Sequence, residues 1–411
     1  MVLLCLAGSG MYWLPFLSDV FYVPMKNAFA FTNTQMGVLS SAYGLTSMLA
    51  YFPGGWVADR FSPRKLITSA LLIMSAGGFV FATIPSFEVS VTLFALWGLM
   101  TGLLFWSAMI KAVRNWGRRD EQGRAYGILE GGRGLTDMLA ATILLWIFAI
   151  SGSDYDALAE SLVIQASFPL LLAIIIWFVM KDDVATREER SDPKPDFTLD
   201  GLKTVVRLPM VWLLAIIIMA AYTGYWGSVY ITPYATDIYE LGVVLGGAIS
   251  TGKYWIAPVA AVVAGLIADR IGTAKAVVGA FIIMTIGFLI FGLIPGTPIL
   301  VPMLLINAAV VACAVFALRG IYFALLEQGG IPLAVTGTTA GLASVIGYTP
   351  DIFVPPLAGM ILDAYPGASG YQIFFLFVSG MSFLGLLAAY VVYRKVQAVG
   401  NSTYTMTNHD H

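Results

Sequence analysis

Long apolar runs, each about the 20 residues that a helix needs to cross roughly 30 Å of hydrocarbon, follow one another along almost the whole chain. Twelve can be placed, near 2–24, 36–56, 66–85, 89–113, 124–150, 160–180, 209–235, 243–264, 275–294, 298–325, 335–361 and 371–393. In lipid every backbone N–H and C=O must be satisfied internally, so runs of this length read as spanning helices. Composition agrees. Hydrophobic residues are 59% and charged residues 11% of the 411, against roughly 45–50% and about 25% in soluble domains. The expected fold class is an all-α membrane protein. The first run follows Met1 with no basic leader and no small-residue cleavage site, and is read as an uncleaved span rather than a signal peptide.

Lys and Arg set the orientation. With both termini and the even-numbered connections in the cytoplasm, only Lys26 lies outside, Lys111, Arg133, Lys253 and Arg319 lie within spans, and the rest are cytoplasmic. A multi-pass protein of the inner or plasma membrane, with both termini cytoplasmic, is predicted. The polar stretch Lys181 to Pro209, with Pro193 and Pro195, reads as a linker. The chain then divides into a six-helix half at 1–180, a cytoplasmic linker at 181–208 with a short surface helix over Phe197 to Val206, a second half at 209–395, and a cytoplasmic tail at 396–411. A net charge of −2 implies no nucleic-acid partner. Cys5 and Cys313 lie singly in apolar runs and His409 and His411 are the two histidines, so neither a disulfide framework nor a metal site is indicated. Asn401-Ser402-Thr403 matches a glycosylation acceptor but would face the cytoplasm, and is read as chance.

One charged segment has an internal echo. Gly55 to Lys65 reads G-W-V-A-D-R-F-S-P-R-K, and Gly265 to Lys275 reads G-L-I-A-D-R-I-G-T-A-K, at an offset of 210 residues. Each is a tight turn between two spans, and the two in register make the chain two related halves. Gly55, Ala58, Asp59, Arg60, Arg64 and Lys65 resemble the signature loop of the major facilitator superfamily between its second and third helices. The second copy resembles the weaker loop between helices eight and nine. Ser62-Pro63 stands where Gly-Arg is common in the family. The resemblance implies twelve transmembrane helices in two pseudo-symmetric six-helix halves, secondary transport by alternating access and no enzymatic activity or cofactor. It also implies gating by Gly55, Asp59, Arg60 and Arg64, with Asp269 and Arg270 in the second copy. Asp59 is expected to meet the positive N-terminal end of the eleventh helix when the inner mouth closes. A monomer in the bilayer is expected.

Other motifs carry no chemistry. Gly247 to Tyr254, G-A-I-S-T-G-K-Y, nearly spells a phosphate loop, but Tyr254 stands where a magnesium-binding hydroxyl is needed and the stretch lies inside a span. No H-E-x-x-H or G-x-S-x-G occurs, so a membrane-embedded protease or hydrolase has no residues to use. The pairs Gly98/Gly102, Gly127/Gly131 and Gly337/Gly341 read as sites of close helix packing.

Charges inside spans are the informative residues, since each costs about 2.5–3.5 kcal/mol by insertion scales unless a partner or water-filled cavity receives it. At about 1.5 Å per residue, Arg133 and Arg319 lie about 14 Å from the inner ends of their helices and Lys253 about 18 Å. All three therefore fall near one depth. Arg133 has Glu130 and Asp137 at helical spacing, whereas Lys253 and Arg319 have no acidic residue three or four positions away. The cations predict an anionic substrate bound by Arg133, Lys253 and Arg319, with hydroxyls and rings from Tyr12, Tyr43, Tyr222, Trp226 and Tyr348. Tyr222, Tyr225, Trp226, Tyr230 and Tyr234 recur along the seventh span, a pattern that also suits plain packing. Asp137 and Asp351 occupy pseudo-symmetric places and, with Glu130 and Asp19, are candidates for carrying a coupling proton.

The segment Trp116 to Asp137 further resembles the organophosphate and organic-anion branch of the superfamily, in which a basic side chain at the Arg133 position faces substrate and Lys111 matches another basic position. The first span has Tyr12-Trp13-Leu14-Pro15 where that branch carries a phosphate-gripping arginine. The sequence thus predicts a transporter of a small organic anion, whether carboxylate, sulfonate or phosphate ester, coupled to protons or exchanged for a counter-anion. An exporter of apolar, drug-like or lipid compounds on the same fold predicts acidic residues in the cavity. A channel predicts a continuous polar lining. A non-transporting membrane receptor is the remaining class.

Overall fold

The computed structural model describes residues 1–116, 122–181, 205–328 and 336–407. Apart from Lys181 and 205–208, the expected linker lies outside these residues, as do most of the expected surface helix and both histidines. Helices make up the regular structure of the described residues. Ten are long and apolar enough to cross a membrane. Together with the 28-residue helix Asn33–Arg60 and the first span, they account for the twelve apolar runs. Side chains that would be buried in a soluble protein lie exposed, Phe178 at 81% and Ile299 at 85%, as expected of helices whose solvent is lipid.

Local sequence explains where the helices start. Thr32 and Gln35 form a capping box, Gln35 N donating to Thr32 Oγ1 at 3.1 Å and Thr32 N to Gln35 Oε1 at 2.9 Å. Ser62 caps the helix Pro63–Phe81, whose proline sits where no N–H partner is needed. This is how Ser62-Pro63 completes the first signature turn. The second copy turns through Gly272 at φ 90°, a left-handed conformation that suits glycine.

Several spans are not continuous helices. The first was expected as one helix over 2–24, but consists of Val2–Gly10 and Ser18–Ala28 with an irregular stretch between. Pro15 has no N–H to carry the helical ladder through that stretch. The fourth contains a π-helical segment, Thr101–Trp106. The seventh breaks at Tyr230, between Pro209–Val229 and Ile231–Asp237. The tenth passes from Val301–Ile321 into a 3-10 turn at Tyr322–Ala324. The eleventh breaks at Tyr348-Thr349, between Thr336–Gly347 and Pro350–Ala364, because a residue preceding proline avoids helical geometry. The last helix runs Ala368–Thr407, so part of the expected tail continues the twelfth span.

Internal packing divides the chain into two units. The first comprises Met1–Asp192, Val229–Tyr254 and Asp351–Pro366. Its core stacks Phe81 against Phe29, with Phe94 and Trp97 edge-on or tilted. Gly98 and Gly102 let the second and fourth spans touch backbone to backbone, since a Cβ on either would meet carbonyls of Tyr43 or Ser47. Gly127, Gly131 and Gly341 differ from expectation, having nothing within 4 Å of an added Cβ. The second unit comprises Pro193–Ser228, Trp255–Pro350 and Gly367–His411. It is built on Phe281, Phe288, Phe374 and Phe375, all buried, and Asn307 Nδ2 ties the tenth span to Gly287 O of the ninth at 2.9 Å.

Candidate functional site

In the second unit, Arg319 lies one turn before the 3-10 segment of the tenth span and is half-buried. Its guanidinium carbon sits 5.2 Å from the ring centre of Tyr222, 4.7 Å from Tyr225 and 5.7 Å from Phe316. Arg319 Nη2 donates to Tyr222 Oη at 3.5 Å. The ring of Tyr348, at the break of the eleventh span, packs 4.4 Å from Tyr222, and its hydroxyl lies 3.5 Å from that of Tyr322. Among the described residues no carboxylate comes within ion-pair distance of Arg319. Its positive charge is held by the faces of aromatic rings and by phenol oxygens. Trp226, the other expected residue of this group, is 4% exposed and edge-on to Tyr225, a supporting position for the cage.

In the first unit, Arg133 is compensated within its own span. Its Nη1 pairs with Glu130 Oε1 at 2.9 Å and its Nε donates to Gly8 O at 3.0 Å. The rings of Tyr12 and Trp106 lie 5.4 and 5.5 Å from the guanidinium. Asp137 turns elsewhere, accepting from Ser9 Oγ and from Trp13 Nε1 at 3.2 Å. Tyr43 is buried and donates to Thr101 Oγ1 at 3.3 Å, at the start of the π-helical segment.

Lys253 differs most from expectation. Although it has no acidic neighbour along its own helix, Lys253 pairs with Asp19 of the first span, and the two side chains are 5% and 2% exposed. Asp19 is one of the four carboxylates expected to carry a coupling proton. It lies in the first turn of Ser18–Ala28, two residues before Phe21, whose φ −112° and ψ 33° interrupt the helix. Asp19 Oδ2 accepts from Tyr254 Oη at 2.6 Å and Oδ1 from Ser250 Oγ at 3.3 Å, while Thr232 Oγ1 donates to Ser250 at 3.0 Å. Lys253 is thereby engaged within the protein.

Sequence reasoning missed a second cross-chain contact, at the end of the first unit opposite the Gly55–Lys65 turn. Asp363, at the close of the eleventh span, accepts from Asn33 N and Nδ2 at 3.0 and 2.8 Å and from Thr34 N and Oγ1 at 2.7 and 2.6 Å. Asn33 Oδ1 in turn accepts from Tyr22 Oη and Lys26 Nζ. Below this contact a Cβ on Gly37 would strike the backbone of Pro355, and one on Gly359 the backbone of Asn33. Asp351 follows, half-buried against Gly44. Thr32-x-x-Gln35, which marks a helix start, was the available signal for Asn33 and Thr34. Tyr322, three residues beyond Arg319, was also readable as a cage member.

The gating candidates of the first unit, on the Gly55–Lys65 turn, lie at its other end, and Asp269 and Arg270 belong to the second unit. Gly55, Asp59, Arg60, Asp269 and Arg270 are exposed. Arg60 stacks 3.5 Å over Trp56, and Arg64 lies 4.9 Å over Trp177 with Nη1 donating to Trp177 O at 3.3 Å. Lys111 Nζ donates to Ala58 O at 2.6 Å and Phe61 O at 3.3 Å, capping the carbonyl end of the helix that carries Asp59.

Residues 2–348 match the family model of the Major Facilitator Superfamily. The chain is 29% identical over 415 aligned positions to the inner membrane protein YqcE of Escherichia coli, covering 98% of this chain and 96% of that protein. It is 28% identical to the inner membrane protein YihN of the same organism, covering 96% and 94%. Among solved structures it resembles a bacterial homolog of the human lysosomal transporter Spinster, at TM-score 0.74 and 14% identity over 97% of both chains. It also resembles the nucleoside transporter NupG, at TM-score 0.74 and 16% identity over 95% and 96%. Two of these relatives are inner membrane proteins and two are transporters, and this chain belongs to the Major Facilitator Superfamily.

Proposed function

We propose that the chain is a secondary transporter, moving by alternating access a small organic anion that carries a single negative charge, such as a carboxylate or a sulfonate. The observation that carries this reading is Arg319, an arginine within a span whose partners among the described residues are a tyrosine hydroxyl and aromatic faces. Arg133 and Lys253 each have a carboxylate already, which leaves one cation in need of charge and favours a monoanion over a phosphate ester. Tyr222, Tyr322 and Tyr348 supply hydroxyls for its polar atoms. The same reading places the halves at 1–180 and 209–395, both termini and the Gly55–Lys65 turn in the cytoplasm, the Asp363 contact at the external face, and the functional unit as a monomer. Either a proton or a counter-anion drives the cycle, and Glu130, Asp137, Asp351 and Asp19 are the carboxylates available for a proton.

A thermal-shift panel on purified protein tests it. A ligand of the folded state stabilises it by about 2.7 kcal/mol at a hundred times its dissociation constant. Carboxylates and sulfonates should raise the melting temperature of the wild type and leave Arg319→Ala unmoved. Stabilisation by phosphate esters alone would restore the organophosphate reading. Stabilisation by uncharged compounds alone, in both proteins, would overturn the anion reading.

A further inference from the structure

We infer that Asp137 is a specificity-determining residue, and that the first unit holds around it a subsite that accepts a hydroxyl of the cargo and refuses a second negative charge. This rests on the anion reading and deepens it: the preferred cargo is a hydroxylated monoanion.

Three side chains of the fifth span set the charge. Glu130 and Asp137 stand three residues before and four residues after Arg133, spacings at which a helix makes side chains neighbours. Arg133 pairs with Glu130 and gives its Nε to Gly8 O, and among the described residues no other carboxylate comes within ion-pair distance of it. Two carboxylates against one guanidinium leave the cluster one net negative charge. A second anionic group on a cargo would be repelled there, and an ammonium would stand close to Arg133. A neutral hydroxyl meets neither objection.

The acceptor for that hydroxyl is one oxygen of Asp137. Oδ1 accepts from Ser9 Oγ and from Trp13 Nε1 at 3.2 Å, and among the described residues Oδ2 accepts no hydrogen bond. Trp13 is itself fixed by stacking 4.4 Å from Phe168 of the sixth span. The two donors therefore hold the carboxylate by one oxygen and leave the other for water or for a ligand. A charged acceptor without a donor is costly in a low-dielectric setting.

Backbone irregularities converge on the same cluster. The first span leaves its helix after Gly10, and Tyr12 and Trp13 lie in the irregular stretch that follows. The fourth span is π-helical from Thr101 to Trp106, a feature that single-turn bulges at functional sites share. Each break re-aims the side chains after it, and the rings of Tyr12 and Trp106 arrive 5.4 and 5.5 Å from the Arg133 guanidinium. The first and fifth spans also approach closely here, since a Cβ on Gly8 would strike the Arg133 side chain and one on Gly132 that of Cys5. Tyr12, Trp13, Trp106, Arg133 and Asp137 are nevertheless only half-buried, so a small solute can reach them.

The test compares dissociation constants, from thermal-shift titrations near neutral pH, within two triples matched in length: butyrate, ω-hydroxybutyrate and succinate, then hexanoate, ω-hydroxyhexanoate and adipate. In at least one triple the hydroxy acid should bind the wild type about tenfold to a hundredfold tighter than the unsubstituted acid, as a hydrogen bond to a charged group allows, and the diacid should bind weakest. Asp137→Asn keeps an oxygen for Ser9 and Trp13, removes the net charge and puts an N–H where Oδ2 was. The diacid should then rise from the weakest ligand to at least the level of the hydroxy acid. Asp137→Ala should lose the preference for the hydroxy acid and still bind the unsubstituted acid within about threefold. If Asp137→Ala does not fold, the ranking in Asp137→Asn decides alone. A wild type that prefers the hydroxy acid in neither triple would overturn the inference, as would an Asp137→Asn variant that keeps the wild-type ranking or weakens every ligand alike, which is what a merely structural role would give. Those results leave the anion reading standing; if no acid of either triple and no anion of the earlier panel stabilises the wild type, the anion reading itself falls and takes the inference with it.

Discussion

Asp363→Ala isolates the contact between the eleventh span and the Asn33–Arg60 helix, at the end of the first unit that the proposed function reads as external. The carboxylate accepts four hydrogen bonds at 2.6–3.0 Å, two of them from the first backbone amides of the Asn33–Arg60 helix. That helix has no acidic residue in its own first turn, so Asp363 supplies from the eleventh span the negative charge that a helix start favours. A side chain capping a helix start is worth about 0.5–2 kcal/mol, and a charge at the helix dipole about 0.3–1 kcal/mol. Asp363 is exposed, so the lower half of the combined range applies, about 1–2 kcal/mol. These bonds exist only when the two spans are together, so the loss falls on the closed form. The closing equilibrium should weaken roughly five- to thirtyfold, since every 1.4 kcal/mol is about tenfold. Spin labels at Asn27 and Tyr365, both exposed, would report this as a growing long-distance population in double electron–electron resonance. Asp363→Asn keeps one acceptor oxygen and should fall between. If Asp363→Ala leaves the two populations within twofold of the wild type, the glycine contacts below it hold the face closed and the capping argument fails.

Arg319→Ala should abolish anion-induced stabilisation, as removing one side of a desolvated charge pair costs about 2–5 kcal/mol, roughly 30-fold to several thousand-fold; Arg319→Lys should recover only part, because a lysine lacks the planar fork, and titration of the thermal shift measures both. Gly359→Val should hold the external face open, since its side chain has no room against Asn33, and would appear in the same spin-label distances as a loss of the short population. Lys111→Met removes the donor from Ala58 O and Phe61 O and should slow transport while leaving anion binding within threefold, measured by flux into proteoliposomes beside the thermal shift.

The apolar runs made the number and course of the spans legible, because a helix in lipid announces itself by length alone. The breaks were partly legible too, since Pro15 and Pro350 stand where helices fail. What the sequence could not show was the partner of Lys253. A search of positions three and four residues away finds only partners on the same helix, and Asp19 is brought to Lys253 by packing between different spans. Asp363 escaped for the same reason: its partners Asn33 and Thr34 lie at the far end of the chain.

Lys253 and Arg319 look alike in sequence, each a lone cation deep in a span, and the structure separates them by what surrounds them. A lysine presents one compact charge, which a carboxylate can satisfy and release, and Lys253 is 4% exposed beside such a carboxylate. An arginine carries five N–H donors in a fixed plane. Its guanidinium carbon lies 5.2 and 4.7 Å from the ring centres of Tyr222 and Tyr225, which are themselves 6.2 Å apart and so flank one side of it, and the hydrogen bond to Tyr222 Oη at 3.5 Å uses one donor. Unmet donors in a low-dielectric setting are costly, so the edge of Arg319 must be served by water or by a ligand with oxygens in that plane. A carboxylate or sulfonate meets that requirement with two oxygens and one charge, and the tyrosine hydroxyls around it are placed to read whatever the anion is attached to.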